Sequence, residues 1–197
     1  MRLHATFLIG IAWSVIGAAP LAAQGDVRAL AARLDSAVPA LLAESHAPGA
    51  ALSVVEGGRI VLARGYGVAN VATGARLNEH TPVNVASVSK AVSAWGMMRL
   101  VREGKLQLDA PVNGLVRRWR LPDGAWPAES VTVRRLLSHT AGVGIASVPW
   151  FPADSAAPSL EDVLSGRAGG RGALAIEAAP GSAWRYSGGG YTLLQLA

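Results

Sequence analysis

Ser87-Val88-Ser89-Lys90 sets a hydroxyl and an amine three residues apart, at the point where a helical pattern begins. On a helix, residues i and i+3 share a face, so the Lys90 nitrogen can reach the Ser87 oxygen. A serine alcohol attacks poorly until a neighbouring base removes its proton, and this spacing supplies one. The tetrad alone is a weak signal, since an isolated serine in this place reads equally well as a helix cap. Composition sharpens it. The 18 basic residues are sixteen arginines and two lysines, Lys90 and Lys105. Arginine does not release its proton in a protein, whereas a partly buried lysine can have its pKa pulled toward neutrality. A chain that otherwise uses arginine thus has lysine where activation of a serine needs a titratable amine.

The elements that must position this pair follow from periodicity. Ser87 to Glu103 reads as the strongest helix, with Val88, Ala91, Val92, Trp95, Met98 and Val101 as its apolar stripe and Gly104 as its stop. Upstream, Val27, Leu30, Leu34, Val38, Leu41 and Leu42 give helical spacing over Asp26 to Ser45, interrupted by Pro39. Two short runs rich in Val and Ile follow, Ala50 to Glu56 and Arg59 to Tyr66, and Val68 to Ala72 extends or follows the same sheet. Gly57-Gly58 between the runs is a two-residue hairpin signal, because both glycines tolerate positive φ. Downstream, Val131 to Ser138 reads as a short helix capped by Thr132 or Ser130, and Ser159-Leu160-Glu161-Asp162 opens another that ends near Gly166. Gly142 to Pro158 and Gly166 to Gly172 read as loops. The sum is a mixed α/β (α+β) fold, an antiparallel sheet with a helix packed on it.

Composition excludes several classes. The chain has 197 residues, 51% apolar and 16% charged, which is a globular composition. Its net charge is +5, but the arginines are scattered apart from Arg117, Arg118, Arg120 and Arg134-Arg135. That distribution reads as solvated surface, and no nucleic-acid partner is expected. The absence of cysteine rules out disulfides, thiolate metal sites and thiol lipidation. Residues 1–23 read as a secretory leader: Arg2, an apolar stretch from Phe7 to Ala19, then Pro20-Leu21-Ala22-Ala23 with cleavage before Gln24. An uncleaved anchor is the other reading, but Gly10, Ser14, Gly17 and Pro20 make a poor permanent span. The expectation is a periplasmic or secreted protein, residues 24–197 forming its mature domain, with no stable membrane span once the leader is removed. The chain ends at Ala197 inside the apolar pattern Tyr191, Leu193, Leu194, Leu196, with no cap or breaker, which reads as a piece of a longer protein.

Three further motifs stand in a fixed order after Ser87-x-x-Lys90: Glu103 to Asp109, Leu136-Leu137-Ser138-His139-Thr140-Ala141-Gly142, and Pro180-Gly181-Ser182-Ala183-Trp184-Arg185-Tyr186-Ser187. With them the chain resembles the serine β-lactamase and penicillin-binding-protein family, in the branch that holds class C β-lactamases, secreted esterases and D-amino-acid peptidases. The resemblance implies a β-lactamase/transpeptidase-like fold whose late sheet strands are missing here, with a helical region over about Leu106 to Pro180. It implies that Ser87 attacks a carbonyl and forms an acyl-enzyme that water hydrolyses. Tyr186 matches the family's catalytic tyrosine, sharing protons with Ser87 and Lys90; which of the pair is the acylation base stays open. At a helix N-terminus the Ser87 N–H can donate to a developing oxyanion, and the same dipole end disfavours an ammonium at Lys90. Gly188 marks a substrate-binding position where family members often carry an asparagine amide, and its lack of a side chain favours ester or peptide cleavage over β-lactam hydrolysis. The family's third motif, Lys-Thr-Gly or His-x-Gly on a late strand, would lie beyond Ala197.

The substrate implied is a small molecule or peptide, with β-lactam, D-amino-acid peptide, short-chain ester and lactone all open, and no metal or other cofactor is called for. Two other readings also fit: a module that acylates slowly or merely binds peptidoglycan-like ligands, and a piece of a longer protein that is inert because it is incomplete. Other chemistry is less well supported. Ser138-His139 is not a hydrolase dyad, because sequence neighbours rarely meet in the needed geometry. Gly188-Gly189-Gly190 lacks the residues of a phosphate loop. His4, His46, His80 and His139 show no metal spacing. Trp95, Trp126, Trp150 and Trp184 read as core or pocket wall.

Overall fold

The computed structural model describes residues 21–145, 151, 155–168, 170 and 172–197. The expected leader therefore lies almost wholly outside the described residues, as do His4, Trp150 and much of the 142–158 loop. The chain divides into two compact units, which meet in sequence at Asn84 and Val85.

The first unit is a helix and a three-stranded antiparallel sheet. Helix α1 spans Leu21–Glu44, followed by β1 (Gly49–Glu56), β2 (Arg59–Asn70) and β3 (Ala75–Arg76), in sheet order β1-β2-β3. The hairpin turns at Gly57 and Gly58 with φ of +56° and +76°, the left-handed values that favour glycine. From there Glu56 pairs with Arg59 and the ladder runs to Gly49 opposite Gly67, with one irregularity at Val54/Val55. Leu62, Tyr66 and Leu77 are buried, and the Tyr66 hydroxyl donates to Asp35 Oδ1 at 2.8 Å, tying α1 to β2. Pro39 does not interrupt α1. Proline removes one N–H from the ladder, and the half-buried residues Leu34, Val38 and Leu42 carry the helix past it. Likewise β2 continues through Val68 as one strand to Asn70.

The second unit holds the main apolar core. A 3-10 turn, Ala86–Val88, leads into α2 (Ser89–Arg102); α3 (Val133–Leu137), α4 (Leu160–Leu164) and α5 (Gly188–Leu196) follow. Val112, Val131, Val133, Leu136, Leu164, Leu174 and Leu193 are fully buried in one cluster. Thr132 is the cap of α3, accepting from the Arg135 N–H at 3.3 Å, and Ser159 caps α4, accepting from the Asp162 N–H at 3.0 Å. Among the described residues, the helical region expected over about 106–180 is mostly turn and loop, with two 3-10 turns and two five-residue helices. Pro111, Gly114, Pro122, Gly124 and Pro127 fall too close together for a long helix. Buried Asn113 replaces helical bonds there: its side chain donates to the Leu121 carbonyl and accepts from the Leu121 N–H, both at 2.8 Å.

The stripe on α2 is the clearest correction. Val88 and Val92 are 66% exposed and Trp95 is 78% exposed, while half-buried Met97 reaches the core. Periodicity marks an apolar face but not whether a neighbour covers it, and within the second unit none covers this one. Trp184 is also exposed, at 67%, rather than core; Trp126 is half-buried against the core.

One pairing falls inside a stretch expected to be loop. Val143 bridges Ile176 in antiparallel fashion, the Gly144 N–H donates to the Ala175 carbonyl at 2.9 Å, and the Glu177 N–H donates to the Gly142 carbonyl at 2.8 Å. Gly142 has φ of +68°, and a Cβ there would overlap the Ala178 carbonyl. Gly142→Ala therefore combines backbone strain with a clash against rigid main chain, and is expected to lower unfolding free energy by about 2–4 kcal/mol. Urea denaturation checks this: a midpoint equal to wild type would remove the argument.

Candidate active site

The i, i+3 spacing does what geometry demands of it. Ser87 lies in the 3-10 turn that enters α2 and Lys90 in the first turn of that helix, and Lys90 Nζ donates to Ser87 Oγ at 3.2 Å. The third residue comes from far along the chain. The Tyr186 hydroxyl is 2.7 Å from Ser87 Oγ, and Lys90 Nζ lies 5.1 Å from the centre of the Tyr186 ring. Ser87 is exposed, while Lys90 and Tyr186 are half-buried. The other lysine, Lys105, is paired with Glu103 at 2.8 Å on the surface and takes no part.

Electrostatics follow from this contact. The Lys90 ammonium beside the Tyr186 hydroxyl is the largest cause of a lowered phenol pKa, and the Ser87 hydroxyl is the second. Burial opposes the shift, and the charge of Lys90 adds to it. Tyr191 of α5 stands nearby, with Lys90 Nζ 5.6 Å from its ring centre, yet its pKa moves upward because burial and the neighbouring Tyr186 both disfavour a second phenolate. Tyr191 donates to the Leu137 carbonyl at 3.1 Å.

Tyr186 is delivered by the segment that ends at α5, and Ser187 fixes that end. Its buried hydroxyl accepts from the Gly190 N–H at 2.9 Å, capping α5, and donates to the Gly144 carbonyl at 2.6 Å. The helix thus begins at Gly188, three residues before the apolar pattern starts. A serine directly before the glycine run is the sequence signal for this cap. The glycines there serve close packing: a Cβ on Gly189 would come within 2.6 Å of Leu174 Cδ1 and 2.9 Å of Ile145 Cβ. Gly188 is buried as the first residue of α5, and its carbonyl accepts from the Thr192 hydroxyl at 3.2 Å. The structure thus brings Ser87, Lys90 and Tyr186 together, with Gly188 two residues beyond the phenol. His139 lies against this group, its ring centre 4.6 Å from that of Tyr186. Among the described residues no cluster of His, Asp and Glu could hold a metal ion, and no helix is long and apolar enough to cross a membrane.

Known proteins share this arrangement of sequence. Residues 34–197 match the family model described as Beta-lactamase. The chain belongs to the β-lactamase family. Esterase EstB of Burkholderia gladioli is 40% identical over 131 residues, covering 64% of this β-lactamase-family chain and 32% of the esterase. Among solved structures, the octameric penicillin-binding protein homologue from Pyrococcus abyssi has a TM-score of 0.64 at 28% identity, covering 83% of this chain and 37% of that one. EstCE1, described as a hydrolase with promiscuous acyltransferase activity, also has a TM-score of 0.64, at 25% identity over 87% of this chain and 48% of its own. The β-lactamase-family chain spans about a third of the length of the curated relatives it matches. Its mixed α/β architecture is that of the β-lactamase/transpeptidase-like fold.

Proposed function

We propose that this chain carries the acylating centre of a serine hydrolase that cleaves an ester or amide through an acyl-enzyme. The observation that carries the reading is the contact of Ser87 Oγ with both Tyr186, at 2.7 Å, and Lys90, at 3.2 Å. A lysine ammonium has three donors and no acceptor, so Ser87 Oγ accepts from Lys90, and once Tyr186 is ionised the Ser87 hydroxyl has the phenolate oxygen as its acceptor. Ser87 Oγ bonds to the carbonyl carbon while its proton passes to the Tyr186 oxygen in its phenolate form, which becomes the neutral phenol. The tetrahedral adduct, its oxyanion met by the Ser87 N–H as one donor, collapses to the acyl-enzyme as the phenol returns that proton to the leaving oxygen or nitrogen. Water then repeats the cycle in reverse, giving its proton to the Tyr186 phenolate and its oxygen to the acyl carbon, and Ser87 leaves as the phenol returns that proton to its Oγ. No metal or cofactor enters.

The substrate class favoured is an ester or a D-amino-acid amide. Gly188, the proposed substrate-binding position, offers no side-chain amide, and the relatives named as an esterase and an acyltransferring hydrolase support the ester. Incubation with a fluorescent fluorophosphonate, followed by peptide mass mapping, tests the centre: the label is expected on Ser87, and a label elsewhere refutes the assignment. Turnover of a chromogenic ester separates the two classes of function. Many turnovers per chain support hydrolysis, whereas a single stoichiometric acylation without release identifies a slowly acylating binding module.

Lys90 sets the pH at which the phenol works. Lys90→Met removes the cation and lets the Tyr186 pKa rise toward that of an ordinary phenol. The labelling rate at pH 7 is expected to fall about tenfold or more, with the gap to wild type narrowing as pH rises. A pH–rate profile lowered equally at every pH would show that Lys90 acts in some other way.

For residues 1–23 we propose export from the cytoplasm, supported by Arg2, the apolar stretch and the small residues Ala22 and Ala23. N-terminal sequencing of protein recovered outside the cytoplasm is expected to begin at Gln24.

A further inference from the structure

Both backbone N–H groups that flank Tyr186 end on one residue. The Arg185 N–H donates to the His139 carbonyl at 2.7 Å, and the Ser187 N–H donates to His139 Nδ1 at 3.2 Å. The imidazole also lies along the Tyr186 ring, with centres 4.6 Å apart and planes inclined by 38°. Tyr191 packs against it at 5.2 Å, and Trp184 meets it edge-on at 6.0 Å. His139 has φ of +58°, a left-handed backbone uncommon for a bulky residue, which the surroundings must hold in place. One residue therefore grips the phenol by the chain before it, the chain after it and the face of its ring.

The grip has a protonation requirement. A ring nitrogen that accepts a backbone N–H carries no hydrogen, so the imidazole is neutral with its proton on Nε2. Protonation would set two N–H groups against each other at Ser187 and place a second cation near Lys90. We propose that His139 is the positioning residue of the proton-transferring phenol, and that its protonation disarms the site at acid pH. The proposal rests on the reading of Tyr186 as the base.

The titratable groups facing the imidazole are Lys90 from α2, Tyr186 from the segment before α5, and Tyr191 from α5. The Arg185 guanidinium is engaged by Glu177 at 2.7 Å. Burial is the larger cause and Lys90 the second in lowering the His139 pKa. Both disfavour the imidazolium, so the residue is neutral at pH 7 and its transition lies on the acid side of the ordinary imidazole range.

The test is the pH dependence of fluorophosphonate labelling in wild type, His139→Asn and His139→Phe, with Ser87→Ala and Tyr186→Phe as controls. Asparagine can offer Ser187 an acceptor near the Nδ1 position but does not titrate. Phenylalanine keeps the ring contact and offers no acceptor. At pH 8 the Asn variant is expected to label within about threefold of wild type, and the Phe variant about tenfold or more slower. Below the imidazole transition the wild-type rate should fall with one more proton than the Asn variant, so that log rate against pH is steeper by one. Circular dichroism establishes which variants are folded, and the Asn comparison decides the matter even where the Phe variant fails to fold. Superimposable acid limbs in wild type and His139→Asn would overturn the proposal, as would a folded His139→Phe labelling at the wild-type rate. Failure of the underlying reading looks different: Ser87→Ala would still take up the label, or Tyr186→Phe would keep the wild-type rate.

Discussion

Ser87→Ala is expected to abolish both labelling and turnover, a loss on the order of 10⁴–10⁶ in rate, as when other serine hydrolases lose their nucleophile. The size of the effect follows from geometry. Among the described residues Ser87 is the hydroxyl that touches both the Lys90 amine and the Tyr186 phenol, so no other serine inherits the proton path. Ser89, two positions on, has no such contact, and Ser138 is engaged by the Arg134 carbonyl and Thr140. The Ser87 side chain is exposed and bonds to the site alone, so stability should shift by less than about 0.5 kcal/mol. An inactive variant with an unchanged urea midpoint carries the assignment; an active one ends it.

Tyr186→Phe has the second largest expected effect, a fall of about 10²–10⁴ in kcat, the usual worth of a positioned acid–base group. The substitution keeps the ring that packs on His139 and removes only the oxygen that receives the Ser87 proton. KM should change little, because the lost interaction belongs to the transition state. The pH profile gives a sharper check. The Tyr186 pKa is lowered by Lys90, so wild-type activity rises with pH as the phenol ionises and falls as pH drops through that lowered value. The Phe variant has no such group, and its residual rate should lose that limb. A variant with the wild-type limb would assign the titration elsewhere.

The chemistry was legible in the sequence wherever it depended on short spacing. Ser87 and Lys90 meet because three residues of helical turn bring them together, and Gly57-Gly58 turns the hairpin because both positions take positive φ. The resemblance to a family supplied Tyr186, which no local rule could have placed. What stayed hidden depended on neighbours. Pro39 reads as a break, yet α1 passes through it on the strength of its packed face. Val88, Val92 and Trp95 read as an apolar stripe, with Trp95 as core or pocket wall, and their exposure is a fact about surroundings rather than about the helix. The pairing of 142–144 with 175–177 joins a stretch read as loop to one given no element, with too few residues to show alternation. His139 was passed over as a dyad partner of Ser138, because its part is played toward residues 185 to 187, far along the chain.

The two halves of the site are thus secured by different kinds of structure. Ser87 and Lys90 stay in register for as long as one helix stays wound, whereas Tyr186 arrives 99 positions later and is held by two main-chain N–H bonds to His139, one to its carbonyl and one to its imidazole, and by the Ser187 cap beside it. A slight slackening of that grip leaves a hydroxyl and an amine still in contact but with nowhere to send the proton. On the proposed reading, a small local displacement there would silence the centre while the rest of the fold stands.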